Sequence, residues 1–158
     1  MPGRRELHFD RLADVIPEVK RLLAGHETLG NWSLAQICRH LSVALRLSTV
    51  AAHRAARSPL ADPVARAEQR EANRANRALV LDRALIRRGL PTPSPALDPP
   101  EGLDARDEAD ALRGAIEEFA AAPPSSVDHP LLGPLDPAEW ERFHCVHCAH
   151  HLRFAVPQ

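Results

Sequence analysis

The sequence predicts an all-α protein, an antiparallel four-helix bundle with a short extra helix or long loops. Apolar residues recur at helical spacing in several long windows. Capping signatures stand at the starts of those windows. No stretch alternates apolar and polar residues long enough to read as a strand. With 158 residues, 44% of them hydrophobic and 26% charged, the chain has the length and composition of one globular domain, residues 1–158.

The first helix is expected from about Asp10 to Ala24, with Phe9, Leu12, Val15, Ile16, Val19, Leu22 and Leu23 on its apolar side. Pro17 moves the regular start towards Asp14 or kinks the helix there, and Gly25 and Gly30 end it. The second opens at Ser33, whose hydroxyl and the Gln36 amide form a capping box. Leu34, Ile37, Leu41 and Ala44 mark its buried stripe, and it extends to about Ala56. Asp62 as N-cap and Pro63 as first residue start the third, which is expected to end near Arg88. Arg66, Arg70, Arg74 and Arg77 line one side of it. After a proline-rich loop, residues 89–102, the fourth helix covers about Asp104 to Ala121. A second loop contains Asp128 and His129. The last helix starts at Asp136-Pro137, with Glu139 completing a capping box, and reaches about Phe154.

Charge is distributed unevenly. The net charge is −1, so no global field attracts nucleic acid or an anionic membrane, and neither is expected as a partner. No apolar run approaches the ~18 residues of a spanning helix, and the N-terminal residues lack the apolar stretch of a signal peptide, so a cytoplasmic location is expected. From Arg54 to Arg88 nine arginines stand against four acids, and from Asp98 to Glu118 eight acids against two arginines. The third and fourth helices are therefore expected to lie side by side and pair these charges. Cys38, Cys145 and Cys148 are an odd number of thiols, expected to be reduced and packed as small apolar residues.

The chemistry concentrates in the last helix. At about 100° per residue, Trp140, Phe143, His147, His151 and Phe154 share one narrow face. Two imidazoles one turn apart on a buried face are costly without partners, and a shared metal ion satisfies both. The best third ligand is His40, on the flank of the second helix's stripe; His8, His26 and His53 rank lower. His129, His144 and Cys148 are candidates to support the site from outside the ligand set. Asp128, His129, His144 and His150 are candidates for a general base. Three imidazoles suit one divalent ion of the later first-row metals, zinc or nickel, rather than magnesium or calcium.

Three separate pieces, Gly30-Asn-Trp-Ser-Leu-Ala-Gln-Ile-Cys-Arg-His-Leu, His129-Pro-Leu-Leu-Gly-Pro-Leu-Asp-Pro-Ala-Glu-Trp and His147-Cys-Ala-His-His-Leu-Arg, resemble the DinB/YfiT-like superfamily, and more narrowly a branch of it known only as a domain of unknown function. The resemblance implies a DinB-like four-helix bundle, often a homodimer, with His40, His147 and His151 as ligands of one metal. It further implies a metal-dependent hydrolase or a thiol-dependent transferase, acting on a small molecule that is itself a thiol in the second case. The alternative is a stress-associated helical protein in which the metal only ties helices together.

Overall fold

The computed structural model describes residues 4–51, 62–87, 94–124 and 128–158, with only the backbone of residues 50 and 51. The expected end of the second helix near Ala56, and His53, lie outside the described residues. Five α-helices carry the fold: α1 Val15–Ala24, α2 Leu34–Ala51, α3 Pro63–Arg77, α4 Ala105–Ala121 and α5 Pro137–Leu152. Two very short antiparallel strand pairs accompany them, β1 His26–Thr28 with β4 Ala155–Pro157, and β2 Asp128–His129 with β3 Gly133–Pro134. No helix among the described residues is long and apolar enough to cross a membrane.

The helix starts follow the predicted chemistry. Gln36 N–H donates to Ser33 Oγ at 3.2 Å, while Ser33 N–H donates to the Gln36 side-chain oxygen at 2.9 Å. Asp62 accepts from Val64 and Ala65, and Asp136 and Glu139 form a reciprocal capping box. Pro17 falls in the first turn of α1, where its missing N–H has no partner to lose. A 3-10 turn, Leu12–Asp14, precedes it.

The helix directions differ from the expected antiparallel arrangement. Along α2, Gln36 donates to Pro99 O, Arg39 holds Glu108, and Arg46 pairs with Glu118, so partner numbers rise together and α2 and α4 run parallel. Against α5 they fall: His40 meets His151 and Ser48 meets His144, so that pair is antiparallel. Leu12 N–H donates to Glu141 and Gln158 N–H to Gly25 O, which gives α1 and α5 the same direction. Parallel neighbours cannot be joined by a tight turn. The long connection between α2 and α4 meets that need, and α3 belongs to it. None of the residues of α3 is buried, so it lies outside the core rather than acting as a bundle helix.

The third helix also ends earlier than Arg88. After Arg77 it continues as one π turn, Ala78–Asp82. Ala84 then takes φ 52°, and Leu85 N–H closes back on Leu79 O at 3.1 Å, a helix stop of the kind glycine usually makes. Arg142 Nε donates to the carbonyl of Leu81 at 2.5 Å, which ties the π turn to α5. Among the described residues the expected ion pairs between α3 and α4 are absent. The acids of α4 turn to α2 through Arg39–Glu108 and Arg46–Glu118, while Arg77 of α3 pairs with Glu139 of α5. Arg66, Arg70 and Arg74 lie on exposed helix surface.

The core joins Val15, Val19 and Leu22 of α1, Leu34, Ile37, Leu41 and Leu45 of α2, Leu112, Ile116 and Phe119 of α4, and Trp140 and Leu152 of α5. The hairpin β2–β3 packs against α3 at the end of the bundle where α5 begins. Asn76 donates to Leu131 O at 3.1 Å and Arg77 to Pro134 O at 2.7 Å. Gly133 turns the hairpin at φ 75°, which strains any side chain, and a Cβ there would stand 3.1 Å from Asn73 Nδ2, which would have to shift.

One ion pair joins α2 to α4 through a buried carboxylate. Arg39 donates Nε and Nη2 to the two oxygens of Glu108 at 2.7 Å each, and the Glu108 side chain is 8% exposed. Removing the arginine leaves a buried carboxylate unpaired. Arg39→Ala is expected to cost about 2 kcal/mol, against below about 1 kcal/mol for Arg46→Ala at the exposed Glu118 pair. Urea unfolding of the two variants measures the difference, and equal losses contradict the assignment.

Candidate metal centre

His40, in the second turn of α2, and His147 and His151, in the last turns of α5, converge at the antiparallel α2–α5 contact. One nitrogen from each lies within 4.8 Å of the others. The strand pair β1–β4 secures this end of the bundle. Leu29 N–H donates to Phe154 O at 2.8 Å, which fixes the loop between α1 and α2 against the end of α5.

The positions of the nitrogens carry the chemical argument. His40 Nδ1 lies 2.8 Å from Leu97 O, and a carbonyl only accepts, so Nδ1 holds the proton and Nε2 presents its lone pair. That Nε2 is 3.1 Å from His147 Nε2, which is also 3.1 Å from His151 Nε2. An imidazole nitrogen has one in-plane position, filled by a proton or by a lone pair. His147 Nε2 therefore satisfies one neighbour and leaves the other contact unmade. One cation shared by three lone pairs satisfies both, and the donor set fits a borderline divalent metal.

Protonation states agree with this. Burial pushes His40 below the ordinary imidazole range, although its bond to Leu97 O and the charge of Asp98 act the other way. Burial holds His147 well below that range, reinforced by His151 and His40, and takes His151 down to about 2. All three rings are thus neutral, the state a metal ligand needs. Aromatic rings fix their planes. Trp32 lies 5.0 Å from the His40 ring and stacks on His151 at 5.5 Å, and Phe143 stacks on His147 at 5.6 Å. His147 Nδ1 is buried with no hydrogen-bond partner, so its ring is held by packing instead.

The other candidates have different places. His144 is 1% exposed, and its Nε2 donates to Ser48 Oγ at 3.0 Å, whose hydroxyl donates to Leu45 O at 2.6 Å. It lies between Trp140 and Phe119, as a satisfied core histidine. His129 Nδ1 accepts from Leu131 and Leu132 N–H at 3.0 and 3.2 Å, which shapes the hairpin; its ring reaches the ligands only through Phe143. Asp128 is exposed on that hairpin, and His150 stands edge-on to His151. His8 pairs with Asp10 at the surface, and His26 donates to Leu22 O. Cys38, Cys145 and Cys148 are free and buried. Burial raises Cys38 and Cys145 to about 12 and Cys148 further, so all three stay protonated and none belongs to the nitrogen cluster.

Two contributors were not singled out from sequence, the Leu97 carbonyl and Trp32. A backbone acceptor leaves no mark in a sequence. Trp32 did leave one, a lone aromatic between Asn31 and the Ser33 cap, a polar setting where packing alone gives no reason for it.

Two outcomes follow. Burial depresses His129 to about 4 and His144 to about 3, and the nearby His129 adds to the shift at His144. The unfolded chain binds these protons near pH 6.5 and the folded chain does not, so the stabilisation is present above pH ~6.5 and is lost as pH falls towards those values. In the metal-free protein, His144→Gln should reduce the acid slope of stability by up to about 1.4 kcal/mol per pH unit, measured by urea unfolding across pH 4–7; an unchanged slope removes His144 from the account. Separately, Cys145→Ala and Cys148→Ala should leave metal content unchanged, and loss of metal in Cys148→Ala alone makes that thiol part of the site.

The family model described as "Protein of unknown function (DUF1569)" matches residues 1–158. Comparison with curated proteins and with solved structures gives no match. The family match spans the whole chain, helices and histidines together, and the chain belongs to the DUF1569 family.

Proposed function

We propose that the protein is a DinB-like metalloprotein in which His40, His147 and His151 hold one divalent transition metal, zinc or nickel, and that it works as a metal-dependent hydrolase or thiol-dependent transferase. The observation that carries the metal is His147 Nε2 facing two further ring nitrogens at 3.1 Å, which no arrangement of protons on neutral rings satisfies. Three protein ligands leave a coordination position for an exchangeable ligand, the feature of catalytic sites. A bound ion of this type acidifies a coordinated water or thiol. The chain's own part is to keep three imidazoles neutral, to orient His40 through Leu97 O, and to hold His147 and His151 one turn apart on a helix packed in the core. Its own thiols are buried and protonated, so a reacting thiol would come with the substrate. Thiol substrate and homodimeric assembly belong to this reading through the DinB resemblance.

The deciding experiment is metal analysis of protein purified without a histidine tag, for the wild type and for His40→Ala, His147→Ala and His151→Ala. The wild type should carry one equivalent and each variant should lose it. If His40→Ala keeps the ion while His147→Ala loses it, the third ligand lies elsewhere; if the wild type carries none, the metal reading falls. Because burial lowers the ligand pKa values, release on acidification should set in below the ~6.5 of free imidazole. Removing the ion should lower Tm by roughly 5–10 °C relative to protein held at about a hundredfold excess over Kd.

A further inference from the structure

We propose that Trp32 is the specificity-determining residue of the metal centre, covering the side from which an exchangeable ligand reaches the ion and limiting its size. This rests on reading the three histidines as metal ligands. Cys38, Leu41, Cys148 and Leu152, chain neighbours of the three histidines, are each 0–1% exposed, so the core side is filled. The Leu97 carbonyl stands behind His40 at 2.8 Å. Phe143 flanks His147, and three further rings hold it, His129 at 4.4 Å, His144 at 5.1 Å and Trp140 at 6.0 Å.

Trp32 is placed differently. Its ring meets those of His40 and His151, two of the proposed ligands. It is half-buried, while its neighbours Gly30, Asn31 and Ser33 are exposed, so one face of the indole covers imidazoles and the residue hangs from a surface bend. Its backbone precedes the Ser33 cap and stands outside α2, so the side chain can move without breaking helix hydrogen bonds. The indole lies only 20° from parallel with the His151 ring, a contact that suits an electron-rich face on a ring drained of charge by a metal. A slender ligand fits beside such a cover, whereas a broad planar one must displace it. Phenylalanine keeps most of the cover, leucine keeps part of it, and alanine removes it.

The test uses the full chain loaded with cobalt(II), whose visible bands report coordination, titrated with azide as a slender probe and imidazole as a broad one. Azide affinity should be the same in the wild type, Trp32→Phe, Trp32→Leu and Trp32→Ala. Imidazole should bind about tenfold tighter to Trp32→Ala than to the wild type, the scale at which pocket size discriminates ligands. Trp32→Leu should fall between them and Trp32→Phe near the wild type. If circular dichroism shows Trp32→Ala misfolded, the Trp32→Leu ratio carries the test. Equal imidazole affinity throughout overturns the proposal. So does a spectrum that neither probe alters in any variant, since the position is then closed by the protein while the metal reading stands. A wild type that takes up no cobalt removes the metal reading and this inference together.

Discussion

Three imidazole nitrogens cannot share one small volume by exchanging protons alone, and most of what is particular to this structure follows from that constraint. Bringing His40 to His147 and His151 requires α2 and α5 to run antiparallel in close contact, with His40 near the start of one and His151 near the end of the other. It requires the α1–α2 loop and the C-terminal strand to be tied at the same end, which β1–β4 does. It also requires the far end of the long connection to return to α2, because the carbonyl that sets the His40 tautomer belongs to Leu97. The histidine cluster is thus a meeting point of four chain segments distant in sequence, and on the proposed reading an ion bound there would stabilise their mutual arrangement as well as α2 against α5.

The helices were legible in the sequence because their signals are local. Ser33-x-x-Gln36, Asp62-Pro63 and Asp136-Pro137-x-Glu139 place donors and acceptors where helix ends leave backbone groups unpaired, and each cap forms as read. The helix directions were not legible. Whether α2 and α4 run parallel depends on how the long connection returns, and periodicity carries no information on that. The same gap explains the misplaced charges. The arginine-rich and acid-rich stretches are complementary in sign, yet the acids of α4 find Arg39 and Arg46 on α2 because that helix is the neighbour. Total charge along a stretch says less than the few residues, such as Glu108, that end up buried.

The histidine pair was legible because i, i+4 spacing on an aromatic face has few inexpensive explanations. The third member of the cluster was harder, since the other seven of the nine histidines compete and only packing separates them. His144 shows the ambiguity. It lies on the same helix and is more buried than His147, yet Ser48 opposite it satisfies its ring, and it serves the core. What separates the two here is the partner opposite on α2, a hydroxyl for His144 and the His40 ring for His147, which also has His151 beside it on its own helix.

The composition of the ligand set bears on what the centre prefers. The histidine cluster contains no carboxylate and no thiolate, and burial keeps its three rings neutral. On the proposed reading, three neutral ligands take nothing from the double charge of a divalent ion, in a buried site where Asp98, near His40, acts only from outside the cluster. Coulombic attraction is strong in such a medium, and no protein group in the cluster neutralises it. The remaining coordination position therefore favours an anionic ligand over a neutral one of equal size, and deprotonation of a bound thiol or water relieves the excess charge. This physical preference agrees with the thiol chemistry that the family resemblance implies, and it arises from the donor atoms alone. On the same reading a large, neutral, electron-rich indole is a fitting cover: Trp32, against the His40 and His151 rings, would shield an ion from bulk water without supplying the negative charge that an incoming ligand would bring.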